Sequence, residues 1–399
     1  MNKKLIALAV AAAIAPAAAM ADSGNVSIYG IMDVSYDITD NGNTATAQGI
    51  RTQKVSSNSS RLGFKGTEDL GNGLAAIWQI ESQINADGNG LSSSATGGTT
   101  FGGRNTFAGL SSKTAGTAIL GRHDTPYKLA TRSLDYFGDG LADNRNLMGQ
   151  GAGSFDGRQS DVVAYISPTV SGMHAAIAHV SGAETATTSG QAKGGAWSLM
   201  GMYDNGPLMA SLAYEKHNFG DATAAGSATI VTPTSLVAGT AVVTPGSAAT
   251  STGTLGVAGL ANRSEKAWKL GVGYKIMPAF EVGFAYEKIS NDLGTANADT
   301  GHKAYTLGGK YSMGSNDLKL AYTHVGDAAG TSASGAKQWA LGVDHNMSKR
   351  TKVYAQYVKL SNDTNGAYGL NGAGATGSVT AKGADADPSA WSFGMRHNF

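Results

Sequence analysis

The residues best suited to chemistry in this chain crowd into positions 124–160. Asp124, Asp135, Asp139, Asp143 and Asp156 stand there with Lys128, Arg132, Arg145 and Arg158. Tyr127, Tyr136, Phe137 and Leu141 are interleaved with them, and apolar side chains of that size call for burial. Fixed charges of both signs, on a stretch that can also bury rings, suit a segment folded back onto a wall with its carboxylates aimed across a water-filled gap. A ring of fixed charge at such a gap sets which ions pass. The same composition also suits an ordinary solvated external loop, and composition alone leaves the two open.

Other chemistries find little support. The chain has no Cys, which excludes disulfides, thiolate metal sites and Cys nucleophiles together. Gly71-Asn72-Gly73-Leu74-Ala75-Ala76 fits a dinucleotide-binding glycine pattern, but it lies between strands with no helix following, so it reads as a turn. No G-x-S-x-G, H-E-x-x-H or phosphate-loop pattern occurs. His174 and His179, five apart on a strand, face opposite sides and make no metal pair. The expectation is a protein that is not an enzyme and uses neither cofactor nor metal. Lys and Arg number 30 against 29 Asp and Glu, so no global field draws nucleic acid.

The elements that must position these charges are strands. Only 15% of the 399 residues are charged, against about 25% in soluble domains, and 56 are Gly, about twice average usage. From Val26 to Ile38 the even positions are apolar or Gly and the odd ones mostly polar, as in a two-faced strand. Trp268-Leu270-Val272-Tyr274-Ile276, Phe280-Val282-Phe284-Tyr286 and Trp391-Phe393-Met395-His397-Phe399 repeat the pattern against Lys, Glu, Gly, Ser and Arg partners. Sixteen such segments are predicted, with cores near 25–38, 58–66, 74–84, 103–111, 117–123, 161–167, 172–181, 195–204, 207–217, 265–277, 279–289, 302–313, 317–325, 337–347, 351–360 and 389–399. Short connections alternate strictly with long ones at 39–57, 85–102, 124–160, 182–194, 218–264, 290–301, 326–336 and 361–388.

A soluble sandwich has no reason to place every long connection at one end, whereas a transmembrane barrel does. Hydrocarbon cannot satisfy an open sheet edge, so the sheet must close. The fold class is therefore all-β, a 16-stranded antiparallel transmembrane β-barrel, and sixteen strands leave an aqueous channel. Met1–Ala21 reads as a signal peptide: Lys3 and Lys4, an apolar run from Leu5, and Ala19-Met20-Ala21 as the cleavage site. The mature barrel then spans 22–399, exported to the cell outer membrane. The polar row of the strands carries Asp33, Arg61, Glu81, Arg104, Arg122, Lys269, Glu287, Asp344 and Arg396, as a wet lumen requires.

Particular motifs sharpen this. Ser59-Ser60-Arg61-Leu62-Gly63-Phe64-Lys65-Gly66-Thr67-Glu68-Asp69-Leu70-Gly71-Asn72-Gly73-Leu74, the opening Val26-Ser27-Ile28-Tyr29-Gly30, Gly121-Arg122 before Thr125-Pro126, Tyr165-Ile166-Ser167-Pro168 and the terminal Gly394-Met395-Arg396-His397-Asn398-Phe399 resemble the β-proteobacterial general porins from end to end. The resemblance implies a homotrimer whose third external loop folds inward, with wall arginines at Arg61, Arg104 and Arg158, and Arg122 as a fourth candidate. Asp135, Asp139 and Asp143 become the constriction-loop carboxylates facing them. Ser160-Asp161 departs from the family's usual Asn-Ser and adds a carboxylate that weighs against strong anion preference. Phe399 fits the family's assembly signal, read by the barrel-insertion machinery. Outer-membrane lipid and lipopolysaccharide are the expected surroundings, and Gly30 and Gly201 on the lipid face would allow close contact between barrels. The implied function is passive passage of ions and small hydrophilic solutes. A substrate-selective channel is the alternative, with a structural or adhesin barrel behind it.

Overall fold

The computed structural model describes residues 25–88, 101–182, 194–220, 261–371 and 377–399. The signal peptide expected at 1–21 and most of the connection 218–264 lie outside the described residues.

The strands are β1 (Val26–Asp40), β2 (Arg51–Ser57), β3 (Arg61–Gly71), β4 (Leu74–Gln83), β5 (Thr106–Ser112), β6 (Gly116–Asp124), β7 (Arg158–Ile166), β8 (Met173–Ser181), β9 (Gly195–Asn205), β10 (Leu208–Asn218), β11 (Ser264–Met277), β12 (Phe280–Asn291), β13 (Lys303–Met313), β14 (Asn316–Val325), β15 (Ala336–Asn346), β16 (Thr351–Asn362) and β17 (Ser389–Asn398). They form one antiparallel sheet in which consecutive strands pair from β3 through β17. β1 pairs with β17 from Ile31 opposite Asn398 to Asp40 opposite Ser389, and this seam closes the ring.

Seventeen strands make sixteen staves. β2 and β3 both pair with β1, end to end: Asp40 opposite Arg51 through Val34 opposite Ser57, then Ile31 opposite Arg61 through Val26 opposite Gly66. The break at Asn58–Ser60 holds Ser59 at φ 56°. Asn58 fills it, donating from its buried amide to Ser35 Oγ and Tyr354 OH, each at 2.9 Å. The expectation that 39–57 is all connection is therefore corrected. Arg51–Ser57 has no apolar row to betray it, because both its faces are polar, and it is the end of β1 that supplies its ladder.

Exposure alternates along most staves, most regularly from β7 to β15. In β11, Lys266, Trp268, Leu270, Val272 and Tyr274 are exposed while Glu265, Ala267, Lys269, Gly271 and Gly273 are buried. The exposed row is apolar around the ring, with Leu212, Leu307, Leu320, Trp339 and Leu341 all more than half exposed. Such a surface is untenable in water and is what a lipid-facing band presents. No helix among the described residues is long and apolar enough to cross a membrane; this barrel crosses with strands.

Two glycine details bear on the sequence reading. Gly71, Asn72 and Gly73 have φ of +83°, +51° and +75°, three successive left-handed residues that β4 follows directly, so the dinucleotide-like pattern is a hairpin turn. Gly30 is not free for contact between barrels, because a Cβ there would collide with the ring of Phe399. Gly201 does face open space.

Candidate pore constriction

The segment between β6 and β7 is the only long connection with substantial helical content among the described residues. Thr125 caps its start: with extended backbone, its side chain accepts from Lys128 N, and Pro126 opens a one-turn helix, Pro126–Leu129. Tight helical turns follow at Arg132–Leu134 and Asn144–Asn146, the second capped by Asp143. Tyr127, Leu134, Phe137, Leu141, Leu147, Met148 and Phe155 are all buried. Each full burial of a side chain this size contributes about 1.5–3 kcal/mol.

Small wall residues make room for them. A Cβ on Gly271 or Gly273 would lie within 3.0 Å of Leu134, one on Gly308 would lie 2.8 Å from Tyr136, and one on Gly342 would lie 2.9 Å from Phe137. Ala285, Ala304, Ala321 and Ala340 join the same apolar cluster. Polar anchors then fix the position. Tyr127 OH donates to Glu287 Oε2 at 2.7 Å, Gly149 N to Glu287 Oε1 at 2.8 Å, Asn146 to Gln338 at 2.7 Å, and Ser211 Oγ to Ala130 O at 2.6 Å. Lys269 reaches Asp156 at 2.6 Å. The segment thus touches β9 to β15 along most of its length.

At its tip, Asp139 reaches the opposite side of the ring. Its carboxylate lies 3.5 Å from Arg61 on β3 and 3.8 Å from Arg396 on β17, as well as 2.9 Å from Arg132 and 3.8 Å from Arg145 of its own segment. Asp139 sits at φ 74°, a left-handed conformation that Asp tolerates better than most residues. Its backbone N–H donates to Asp143 Oδ2 at 2.9 Å. Burial raises the Asp139 carboxyl, but Arg132, Arg61 and Arg145 outweigh it and hold the group below the usual carboxylate range.

Asp143 and Asp135 turn inward to their own segment instead. Asp143 is fully buried, accepting from Arg145 at 2.7 Å and Arg132 at 3.2 Å. Against the cost of burial, those two guanidiniums hold it far below the usual range. Asp135 accepts from Phe137 N and Asn144 N and pairs with Arg132 at 3.2 Å. Burial first, then neighbouring Asp143, pushes its carboxyl up to about 7.

The wall arginines divide. Arg61 meets Asp139. Arg104 pairs with Glu81 at 2.6 Å, and Tyr29 OH donates to the other Glu81 oxygen at 2.9 Å. Arg158 pairs with Asp124 at 3.2 Å, and Lys128 pairs with the same Asp124 at 2.7 Å. Neither Arg104 nor Arg158 pairs directly with Asp135, Asp139 or Asp143; Glu81 and Asp124 on the wall take them instead. Arg104 also lies just before β5 rather than on the strand. The chain turns at Gly102, φ +86°, and only the Arg104 N–H continues the ladder, to Glu81 O at 2.9 Å.

Arg122 needs the larger correction. It shares its row with Leu120 and Leu110, 61% and 49% exposed, so it stands on the outward face. Its guanidinium donates to Gly103 O and Ser160 Oγ. Asp161, φ 56°, is on the same outward face, alternating with buried Val162. The bulge at this level lies on β7, where Ser160 and Asp161 stand opposite Arg122 alone, so β6 keeps its alternation and Arg122 stays in step with Leu120.

Arg132, Arg145 and Arg396 are the functional candidates that sequence reasoning did not single out. Arg396 lies 3.5 Å from Asp33, which also accepts from Tyr354 OH at 2.8 Å. Both residues were visible on the polar rows of the first and last strands, but only ring closure makes them neighbours. On the adjoining wall Asp344 binds Lys319 at 2.8 Å and Lys352 at 2.6 Å.

The family described as Gram-negative porin matches residues 7–365. Outer membrane porin protein 32 of Delftia acidovorans is 30% identical over all of both chains. An outer membrane porin protein of Bordetella pertussis is 32% identical over 55% of this chain and 60% of its own length. Among solved structures, an anion-selective porin from Comamonas acidovorans superposes with a TM-score of 0.71 at 25% identity, covering 94% of this chain and 99% of that one. OmpT of Vibrio cholerae in its trimer form, 16% identical with a TM-score of 0.61 over 94% of this chain and 99% of that one, shares the fold. With its closed sixteen-stave barrel, this chain belongs to the Gram-negative porin family and resides in the outer membrane.

Proposed function

We propose that the barrel is a general diffusion channel whose constriction is built by segment 125–157 against Arg61, Arg104, Arg158 and Arg396, and that it favours anions. One segment can touch β9 to β15 at its body and β3 and β17 at its tip only from inside a ring, so these contacts support its crossing the lumen. Preference depends on which sign reaches the water. Around Asp139, itself 17% exposed, the cations Lys352, Arg132, Arg396, Arg61 and Arg145 are 29%, 26%, 22%, 16% and 13% exposed, while the other carboxylates, Asp33, Asp344, Asp135 and Asp143, are 7%, 6%, 3% and 0% exposed. That difference in reach is the observation that carries the reading. The outward placing of Asp161 removes the one sequence feature that weighed against it. The anion selectivity named for the Comamonas relative agrees with it.

Residues 1–21 serve as the export signal in this reading, and Phe399 as the assembly signal for the insertion machinery. Phe399 is well placed to report a completed barrel, since its main chain exchanges bonds of 3.0 and 3.1 Å with Gly30 where the ring closes, leaving the ring partly exposed. A homotrimer is the assembly we infer, supported by the trimer form of the Vibrio fold relative. Swelling of liposomes carrying the purified protein tests the diffusion reading. Small uncharged sugars should enter at rates that fall smoothly with size. Saturable entry of one sugar, with others of equal size excluded, would establish the substrate-selective alternative instead.

A further inference from the structure

The register of β10 against β11 builds a buried triad that the selectivity of the channel leaves unused. Glu215 and His217 are two apart, so they share the inward face of β10. Glu265 of β11 stands directly opposite His217. The imidazole lies between the two carboxylates, Nε2 2.7 Å from Glu215 Oε1 and Nδ1 2.8 Å from Glu265 Oε1. All three side chains are fully buried.

The triad seats the return limb of segment 125–157. Glu265 accepts from Gly153 N at 2.7 Å through Oε1 and from Ala152 N at 2.8 Å through Oε2. Phe155 stacks on the His217 ring, with centroids 4.5 Å and planes 13° apart. Phe155 in turn packs on Tyr127, 5.6 Å away, at the start of the same segment. Glycine is needed at both points of approach. A Cβ on Gly153 would lie 2.6 Å from His217 Nδ1, and one on Gly151 would lie 2.6 Å from the Phe155 ring.

These contacts fix the proton count. An ionised carboxylate only accepts, so each of the two nitrogen–oxygen contacts needs a proton of its own. With both protons on the ring, His217 is an imidazolium whose buried charge is paired on either side. β9 places only Ala196 and Ser198 opposite His217 and Glu215. The other titratable groups facing the triad are Lys269, Asp156, Glu287, Tyr127 and His302. Four of these are bound to one another: Lys269 to Asp156 at 2.6 Å and to Glu287 at 3.3 Å, and Tyr127 OH to Glu287 at 2.7 Å. His302 lies just outside β13, and burial holds it below the usual imidazole range.

We propose that His217, doubly protonated between Glu215 and Glu265, is a positioning residue of the constriction: it latches residues 149–157 to the wall, and alkali opens the latch. Hydroxide takes one ring proton and becomes water. The bared nitrogen then faces a carboxylate oxygen less than 3 Å away with no proton between them, and the ring and the Phe155 stacked on it lose their seat. The inference rests on segment 125–157 being the constriction, and its test separates the two.

Protein labelled with nitrogen-15 at its eight histidines is folded in detergent micelles, and the ring nitrogen resonances are followed as pH is raised from 7. One histidine should keep both ring nitrogens protonated at pH 8, where an ordinary imidazole of pKa about 6.5 is neutral. That signal should be missing from His217→Gln. In planar bilayers, loss of the same proton should raise the open-channel current variance about twofold or more, and His217→Gln should be noisy already at pH 7. Lys128 of the segment, pushed down to about 8 by burial, titrates in the same range, so the variants decide. Glu215→Gln keeps an acceptor for Nε2 but removes one carboxylate charge, so the nitrogen transition and the noise transition should move together to lower pH. A merely structural role would move neither. A neutral His217 ring at pH 7, or noise that does not follow the ring's titration in wild type and Glu215→Gln, would overturn the proposal and leave the channel reading intact. Failure of the channel reading would show instead as no ion conduction at any pH, and would take the inference with it. Should His217→Gln not fold, the resonance that moves in Glu215→Gln identifies the ring, and the same two outcomes decide.

Discussion

Asp139 gathers four arginines, two from the wall and two from its own segment, and this sets what single substitutions should do. Arg61→Ala removes a cation that is partly exposed beside it, so the reversal potential in a salt gradient should move toward cations, more at low salt, where the screening length is longer than its ~8 Å at physiological salt. Arg122→Ala, on the outward row, should leave the reversal potential unchanged. Equal shifts for the two would contradict the placing of Arg122. Asp135 supplies a pH dependence. Its carboxyl is pushed up to about 7 by burial and by Asp143, against about 3.9 when free. A raised acid is favoured in its neutral form in the folded state, so the proton is taken up as pH falls through about 7 and one negative charge leaves the segment. Anion preference should therefore strengthen from pH 8 to pH 6 in bilayer recordings, and Asp135→Asn should flatten that change. That Arg61 should stand opposite one of Asp135, Asp139 and Asp143 was legible from residue types and family motifs, but not which of the three. The turning of Asp135 and Asp143 into their own segment was not, because it depends on Arg132 and Arg145 lying closer than any wall cation.

At the scale of elements, periodicity located the staves well because lipid on one side and water on the other impose a period of two. Strand edges such as β9, β12 and β14 fall within two residues of expectation. Periodicity fails where that contrast fades. Arg51–Ser57 is polar on both faces, and the β6–β7 bulge shifts the alternation of β7 at Ser160–Asp161. Segment 125–157 was recognisable by its mixture of rings and charges, but its seat was not. Gly271, Gly273, Gly308 and Gly342 read as ordinary strand glycines until Leu134, Tyr136 and Phe137 are seen against them. This seating predicts that Leu134→Ala with Phe137→Ala, each removing about 2–5 kcal/mol of packing, loosens the segment while the wall hydrogen bonds keep the barrel whole. Single-channel conductance should rise and become noisier in a variant of unchanged β-sheet content. Conductance identical to wild type would mean that the segment does not set the narrowest section.

For the whole molecule, closure between β1 and β17 brings Arg396 beside Asp33 and completes the ring whose wall segment 125–157 touches on both sides. In the proposed reading the barrel supplies the hole, the glycine- and alanine-lined wall supplies the seat, and the difference in reach between cations and recessed carboxylates supplies the sign. Net charge says nothing of this: 30 basic against 29 acidic residues balance over the chain, while their positions at the constriction do not. The most direct measurement is therefore the zero-current potential of the purified wild-type channel in a planar bilayer under a tenfold KCl gradient. The account predicts a potential of the sign set by chloride permeating faster than potassium, growing as both salt concentrations are lowered together. A potential of the opposite sign, or one near zero at low salt, would contradict it.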